Sequence, residues 1–286
     1  NTGAELWAYV PKIVMPNLYK LAEQFYATNH VYYVDGTPST MDVFYGGAWH
    51  TILVGGLNGG GRGYYALDVT DPANPKALWE ICSDSTLCAL SDSDIGFTFG
   101  DPVITKRASD GKWVVAVASG YNNVSPGTGR GFLFLLDVAT GVVVEKIDTG
   151  VGDITTPSGL SKINGFANDF NTDNTTLRIY GGDLLGNVWR FDLTSLPSSV
   201  LNIAQLKDAG GKPQSITIKP ELGEIQGYPV VFVGTGRYLG VKDLVDPATL
   251  IPPLPYAYQQ SMYAIKDTAT NYGNVRLSGM VQQTIT

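Results

Sequence analysis

Oxygen-bearing side chains are densest in one stretch of the chain, residues 168–176, which reads Asn-Asp-Phe-Asn-Thr-Asp-Asn-Thr-Thr. Asp169, Asn171 and Asp173 stand at alternate positions. This spacing resembles the opening of a calcium loop, in which a tight turn points hard oxygen ligands inward. The seventh position of such a loop, here Thr175, contributes its backbone carbonyl. The pattern predicts a Ca²⁺ site formed by Asp169, Asn171, Asp173 and Thr175.

The same stretch departs from a complete calcium loop at three positions. The sixth place, usually Gly, is Asn174, which also tolerates the left-handed conformation. The ninth place is Leu177 and the twelfth is Tyr180, so the closing carboxylate is missing. A solvated Asn/Asp turn between two strands is therefore the alternative to a calcium site.

The two cysteines, Cys82 and Cys88, are separated by five residues. They are close enough to bridge a small loop between two strands, and in an extracytoplasmic protein this spacing predicts a disulfide. Free thiols in the core are the alternative. A zinc site is not expected, because the chain has two histidines and no second cysteine pair.

No catalytic or cofactor-binding residue is predicted. The glycine-rich run at 59–63 precedes a strand, whereas a phosphate loop needs the N-terminus of a helix after it. The chain contains no Gly-x-Ser-x-Gly motif, and its two histidines give a hydrolytic triad no support.

Composition narrows the class of protein. The 286 residues carry a formal net charge of −7, which argues against a nucleic-acid surface. No apolar run approaches the ~18 residues that a membrane span requires. Hydrophobic residues make up 44% and charged residues 16%, with 34 Gly and 16 Tyr, a balance that disfavours both a helical bundle and disorder. Because Asn1 opens the sequence and no leader follows, we expect either a mature piece or a fragment of a larger protein.

The elements that must position these residues are mostly strands. One short amphipathic helix is predicted near residues 16–25, where Leu18, Leu21, Ala22 and Phe25 recur at helical spacing and Pro16 stands near the start. After it, short apolar runs rich in β-branched and aromatic residues alternate with clusters of Gly, Asp, Asn or Pro. That rhythm is typical of strands joined by turns.

The strands recur as a unit. An apolar run ending in Gly is followed by a Gly-containing turn and a second apolar run ending in Asp, and four such units close at Asp68, Asp137, Asp192 and Asp267. We expect each closing aspartate to bond the amides of the turn after it. Sheets of this kind stack radially, so the repeat predicts one all-β propeller domain over 1–286, with a lead-in at 1–50 and blades over 51–286. A β-sandwich is the alternative fold, but it would not explain the repeat.

The turns that follow Asp68 and Asp137 resemble the blade signature of quinoproteins, Ala-x-Asp-x-x-Thr-Gly-x-x-x-Trp. A periplasmic quinone-dependent (PQQ-type) dehydrogenase is therefore the enzymatic alternative. Those enzymes place a disulfide between adjacent cysteines over the cofactor, unlike Cys82 and Cys88. The resemblance then concerns the fold alone.

Several longer motifs, in order along almost the whole chain, closely resemble the C-terminal domain of the PilC/PilY family of type IV pilus biogenesis factors and tip adhesins. The motifs are Glu5-Leu-Trp-Ala-Tyr-Val-Pro11, Gly46-Gly-Ala-Trp49, Gly60-Gly-Arg-Gly-Tyr-Tyr-Ala-Leu-Asp-Val-Thr-Asp-Pro72, Gly182-Asp-Leu-Leu-Gly-Asn-Val-Trp-Arg-Phe-Asp192 and Gly234-Thr-Gly-Arg-Tyr-Leu239.

The resemblance implies a quinoprotein-like, modified and roughly seven-bladed β-propeller. It implies a non-catalytic protein, exported to the cell surface at or near the pilus tip, that promotes pilus extension against retraction and takes part in twitching motility. Minor pilins of the tip complex and a host or abiotic surface receptor are the implied partners. The family's calcium loop maps onto Asp169, Asn171, Asp173 and Leu177, of which the last is not an acid. Variable loops such as 122–129 and 243–258 are where a receptor surface is expected.

Overall fold

The computed structural model describes residues 3–169, 172–240, 243, 260–277, 280–281 and 283. Within these ranges the chain opens with a 3-10 helix, Lys12–Ala22, and continues almost entirely in strands, with two further 3-10 turns at Asn58–Gly60 and Val275–Leu277. No helix in the described part of the chain has the length and apolar character needed to cross a bilayer.

The strands form four consecutive sheets, which we name blades 1 to 4. Blade 1 has the order β1 (Ser39–Tyr45), β2 (Ala48–Gly56), β3 (Gly63–Asp68), β4 (Lys76–Cys82) and β5 (Leu90–Ser91). Blade 2 has β6 (Val103–Arg107), β7 (Trp113–Ala118), β8 (Phe132–Asp137) and β9 (Val143–Asp148). Blade 3 has β10 (Ile163–Phe166), β12 (Arg178–Gly182), β13 (Asn187–Asp192) and β14 (Ser199–Gln205), and blade 4 has β15 (Glu221–Ile225), β16 (Tyr228–Gly234) and β17 (Met262–Lys266).

The consecutive long strands of each blade pair antiparallel, as hairpins require. Two short strands add parallel pairs at the edges: β5 on β4, and β11 (Thr175–Thr176) on β6. In the sequence, β11 comes between β10 and β12 of blade 3. Its pairing with β6 therefore attaches the β10–β12 connection to blade 2.

The core lies between the blades. One apolar cluster joins blades 1 and 2, a second joins blades 2 and 3, and a third joins blades 3 and 4. The central strands β8 and β13 therefore have a blade on each face, and the outer face of β3 packs against the N-terminal helix and the cysteines. Burial on both faces explains the continuous apolar runs of these three strands. Three successive sheet-to-sheet cores are the packing of a propeller, whereas a sandwich has a single such layer.

The predicted role of the closing aspartates is confirmed in all four blades. One carboxylate oxygen accepts the amide two residues further on, from Thr70 at 3.0 Å, Ala139 at 3.1 Å, Thr194 at 3.0 Å and Ala269 at 2.8 Å. These Asx turns satisfy backbone donors that the strand has just released.

Trp79 connects blade 1 to blade 2. It pairs across the sheet with Ala66, and its indole Nε1 donates to the carbonyl of Val138 at 3.0 Å. Gly141 lies directly against the ring: a Cβ there would come within 2.6 Å of the indole, and its φ is +71°. The pair of Leu135 and Glu145 in blade 2 corresponds to the pair of Ala66 and Trp79 in blade 1. There the Glu145 carboxylate accepts a hydrogen bond from the Ser198 amide of blade 3 at 2.6 Å.

The N-terminal helix differs from its predicted position. It begins at Lys12 rather than near Pro16 and ends at Ala22. The amides of Lys12 and Ile13 donate to the Glu80 carboxylate in β4, so a tertiary contact sets where the helix begins. Phe25, which the spacing placed on the buried face, is 65% exposed.

Candidate functional site

The predicted calcium loop connects β10 to β12. Within it the carbonyl of Asp169 accepts the amides of Thr172 and Asp173, at 3.2 and 2.8 Å, which gives the loop its turn. The Asp169 carboxylate accepts the Thr172 hydroxyl at 2.6 Å. Asn171 lies outside the described residues.

The second predicted carboxylate, Asp173, already has a cationic partner. Lys106 in β6 forms an ion pair with it, and the Thr175 hydroxyl donates to the same carboxylate oxygen at 2.8 Å. These two hydrogen bonds, with that from Lys106 the stronger, hold the pKa of Asp173 below its usual value. The pair is positioned by the parallel bridge between Thr175 and Lys106.

The described residues do not complete a calcium donor set. Leu177 is used in the backbone pairing, its amide donating to Phe166 at 2.9 Å. Tyr180 is fully buried, and its hydroxyl donates to Asp267 in blade 4. No group of three or more His, Cys, Asp or Glu side chains in the described ranges is arranged to hold a metal. The calcium site therefore stays a prediction from the sequence pattern.

Beside this loop lies a cleft of about 640 Å³. The first strand of every blade reaches it, through residues 39–41 of blade 1, 102–104 of blade 2, 164–166 of blade 3 and 221–224 of blade 4. Four first strands around one space mark the axis of the propeller. Asn164 spans blades 3 and 4 there by donating to the Pro220 carbonyl at 2.9 Å.

The two cysteines form a disulfide between the end of β4 and the loop after it, with a Cα–Cα distance of 5.9 Å. Both are buried and pack with Ile13, Val14 and Leu57. The bridge closes residues 83–87 into a short loop beside the N-terminal helix. Its position is structural, and it lacks the adjacent-cysteine arrangement of the quinone enzymes.

The loop at 122–129, predicted as receptor surface, is fixed at its base. Asn123 is buried and donates to the carbonyls of Asp94 and Arg130, at 3.1 and 2.9 Å. Thr128 donates its amide and hydroxyl to the Asp94 carboxylate, both at 2.7 Å. Of the second predicted loop, 243–258, only residue 243 is among those described.

A cluster that the sequence patterns did not reveal lies between blades 3 and 4. Arg190 donates through Nε to Asp267 at 2.8 Å and through Nη2 to Asp192 at 2.5 Å. Tyr180 donates to the same oxygen of Asp267. Burial, together with the hydrogen bond to Asp267, raises the pKa of the Tyr180 hydroxyl well above its usual value.

Four repeated antiparallel sheets, packed face to face around one axial cleft and closed by aspartate turns, define the chain as a β-propeller. Its sequence matches the family model described as the PilY1 beta-propeller domain over residues 10–284. The chain belongs to this family.

Individual relatives agree with the family match. The chain is 37% identical over 268 residues to the type IV pilus biogenesis factor PilY1 of Pseudomonas aeruginosa, and 35% identical over 289 residues to a PilY1 homolog of Xylella fastidiosa. These alignments cover 84% and 97% of the chain but 22% and 21% of the relatives, so the chain spans about a fifth of their length.

A solved structure gives the same fold. The crystal structure of the P. aeruginosa PilY1 C-terminal domain matches with a TM-score of 0.74 and 32% sequence identity. The match covers 94% of this chain and 54% of that one.

Proposed function

We propose that this chain is the non-catalytic propeller of a type IV pilus biogenesis factor, located outside the cell at or near the pilus tip. In this proposal it promotes pilus extension against retraction, docks on minor pilins, and contributes to attachment to a host or abiotic surface. The family match over residues 10–284 is the observation that carries the proposal.

The structure supports a docking role through rigidity. Each blade is tied to the next by a buried core, and the connections between strands are held at their bases by contacts such as the Cys82–Cys88 bridge and Asp94 with Thr128. A rigid scaffold that presents loops at one end is the usual way in which a propeller forms a binding surface.

Calcium modulation belongs to the proposal in a restricted form. A Ca²⁺ ion at Asp169, Asn171, Asp173 and the Thr175 carbonyl would compete with the Lys106 ammonium for Asp173. We therefore expect weaker calcium binding than a loop with free carboxylates would show, because the competing cation is covalently part of the chain.

The test is a deletion of the gene in its native host, with surface pili counted by electron microscopy and twitching measured on agar. We expect loss of both, and recovery when the gene is returned. Repeating the deletion in a strain without pilus retraction separates the roles: pili reappear if the protein opposes retraction and stay absent if it is required for assembly.

A second measurement separates the enzymatic alternative. The purified chain should show no quinone absorbance and no alcohol oxidation. Normal piliation of the deletion strain, combined with loss of a quinone-dependent oxidation, would overturn the proposal.

A further inference from the structure

Blade 3 breaks an apolar rule that blades 1 and 2 obey. The residue paired across the sheet with the closing aspartate is Ile52 in blade 1 and Val114 in blade 2, both buried. In blade 3 that residue is Arg178, paired with Asp192. A charged side chain at a position that otherwise builds the core is a local inconsistency of the kind that marks functional sites.

A second arginine occupies blade 3 two residues before the closing aspartate. The same position holds Ala66 in blade 1 and Leu135 in blade 2. Arg190 is buried, and its charge is answered by Asp267 and Asp192. This arginine therefore has a complete structural explanation.

Arg178 has no such explanation. Its ion contact is from Nε to Asp192 at 3.6 Å, longer than a hydrogen bond, and that Nε atom is buried without a hydrogen-bond partner among the described residues. The Asp192 oxygen that it faces already accepts a hydrogen bond from Arg190. Because that atom is closed to solvent, a ligand would reach the rest of the Arg178 side chain, which is 26% exposed and lines a cleft.

The space beside Arg178 can hold such a ligand. A cleft of about 220 Å³ is lined by Arg178, Arg190, residues 227–229 and residues 267–269. Tyr228 forms one wall, and the Lys266 ammonium lies 4.2 Å from the centre of its ring. Arg178, Arg190 and Asp267 line the cleft, while Asp192 contacts both arginines and Lys266 lies on Tyr228. Together these side chains are three cations and two anions. One positive charge is left over.

We propose that this cleft, between blades 3 and 4, binds one carboxylate group on the Arg178 guanidinium, the carboxylate being either free or carried by an acidic side chain. The planar fork of an arginine matches the two oxygens of a carboxylate. A dianion such as phosphate fits less well, because Asp267 lines the cleft, Asp192 lies against both arginines, and a single positive charge is uncompensated. This inference is independent of the pilus function.

The test follows the arginine Nε–H signals of the ¹⁵N-labelled 286-residue chain by NMR during titration. The probes are sodium acetate, N-acetyl-glutamate methylamide and, as the neutral match, N-acetyl-glutamine methylamide. We expect a saturable shift of the Arg178 signal with a carboxylate and none with the glutamine compound. Saturation by acetate as well as glutamate indicates a site for small carboxylates, and saturation by glutamate alone indicates a site for acidic side chains. No shift, or an equal shift with glutamine, overturns the proposal.

Variants locate the site. Followed through the Nε–H signal of Arg190, which lines the same cleft, Arg178→Gln should weaken glutamate binding by about ten-fold or more, because a charge-assisted hydrogen bond is lost. Arg178→Lys should lie in between, since it keeps the charge and loses the fork. Arg130→Gln is the matched control, because Arg130 pairs with Asp148 away from this cleft. Wild-type affinity in folded Arg178→Gln would overturn the proposal, and if that variant fails to fold, the glutamate and glutamine titrations of the wild type decide.

Discussion

The junction between blades 1 and 2 is closed by an indole, and the junction between blades 3 and 4 is closed by buried charges. At the first, Trp79 packs on Gly141 and makes one hydrogen bond to a backbone carbonyl. At the second, Arg190, Asp267 and Tyr180 share one hydrogen-bonded network. The apolar junction gains chiefly from burial of the indole, whereas the ionic junction must offset the desolvation of its charges. The same fold thus joins its blades by two kinds of contact, one apolar and one ionic.

The largest effect is expected at the apolar junction. Trp79→Ala removes a side chain that is 6% exposed and leaves a cavity between two blades, so the free energy of unfolding should fall by about 4 kcal/mol. Denaturation in urea, followed by circular dichroism, measures the change. The matched control is Trp49→Ala, because Trp49 is 63% exposed and should cost about 1 kcal/mol or less. An equal loss in the free energy of unfolding for the two variants would contradict the stabilising role of Trp79 at the junction.

The ionic junction should be nearly as sensitive when one partner is removed. The two oxygens of Asp267 both accept, one from Arg190 and Tyr180 and the other from the Ala269 amide. Asp267→Asn keeps only one accepting oxygen, so an amide NH₂ faces donors on one side, and the arginine charge is left partly unanswered. We expect a loss of about 3 kcal/mol in the free energy of unfolding.

A double-mutant cycle checks the cause. Arg190→Leu combined with Asp267→Asn should cost less than the sum of the two single changes, by about 1–3 kcal/mol. The exposed pair of Arg130 and Asp148 serves as the control and should show a coupling below about 1 kcal/mol. If the losses in the free energy of unfolding at Arg190 and Asp267 simply add, the two residues do not interact and the network is contradicted.

Comparing substitutions at two glycines separates the cost of contact with Trp79 from the cost of backbone strain. Gly141 and Gly111 have nearly the same φ, +71° and +68°, but a Cβ at Gly141 would meet the Trp79 ring, whereas one at Gly111 would meet nothing within 4 Å. Both Gly→Ala changes should cost about 1 kcal/mol for the left-handed backbone. Gly141→Ala should cost about 2 kcal/mol more for the overlap with the ring. Similar unfolding curves for the two variants would show that the ring yields without cost.

The features that sequence reasoning predicted are those that repeat or lie close together in the chain. Each closing aspartate bonds a residue two positions away, so its role follows from the local motif alone. Cys82 and Cys88 are likewise neighbours in sequence. The repeat itself revealed the blades because each unit must bury both faces against the next.

The features that the sequence did not reveal join distant residues. Arg190 and Asp267 are 77 positions apart, and no local pattern connects them. Lys106 meets Asp173 only because β11 pairs with β6 across blades. A usable signal did exist at Arg178 and Arg190, since both interrupt positions that are apolar in blades 1 and 2. This signal becomes visible only when the strands of the three blades are aligned by their pairing register.

The smallest effect on stability is expected where an ion pair is exposed, at Lys106 and Asp173. Both side chains are partly in solvent, at 30% and 52%, so Lys106→Gln should lower the free energy of unfolding by less than about 1 kcal/mol. Its effect on calcium should be larger, because the variant removes the competing cation from Asp173. If the loop binds Ca²⁺, calorimetry should show tighter binding in Lys106→Gln than in the wild type and none in Asp173→Ala. Lys112→Gln, at an exposed lysine beside Asp110, should leave calcium binding unchanged. The same heat in all four proteins would rule out the calcium site and leave the Lys106 ammonium as the cation that pairs with Asp173.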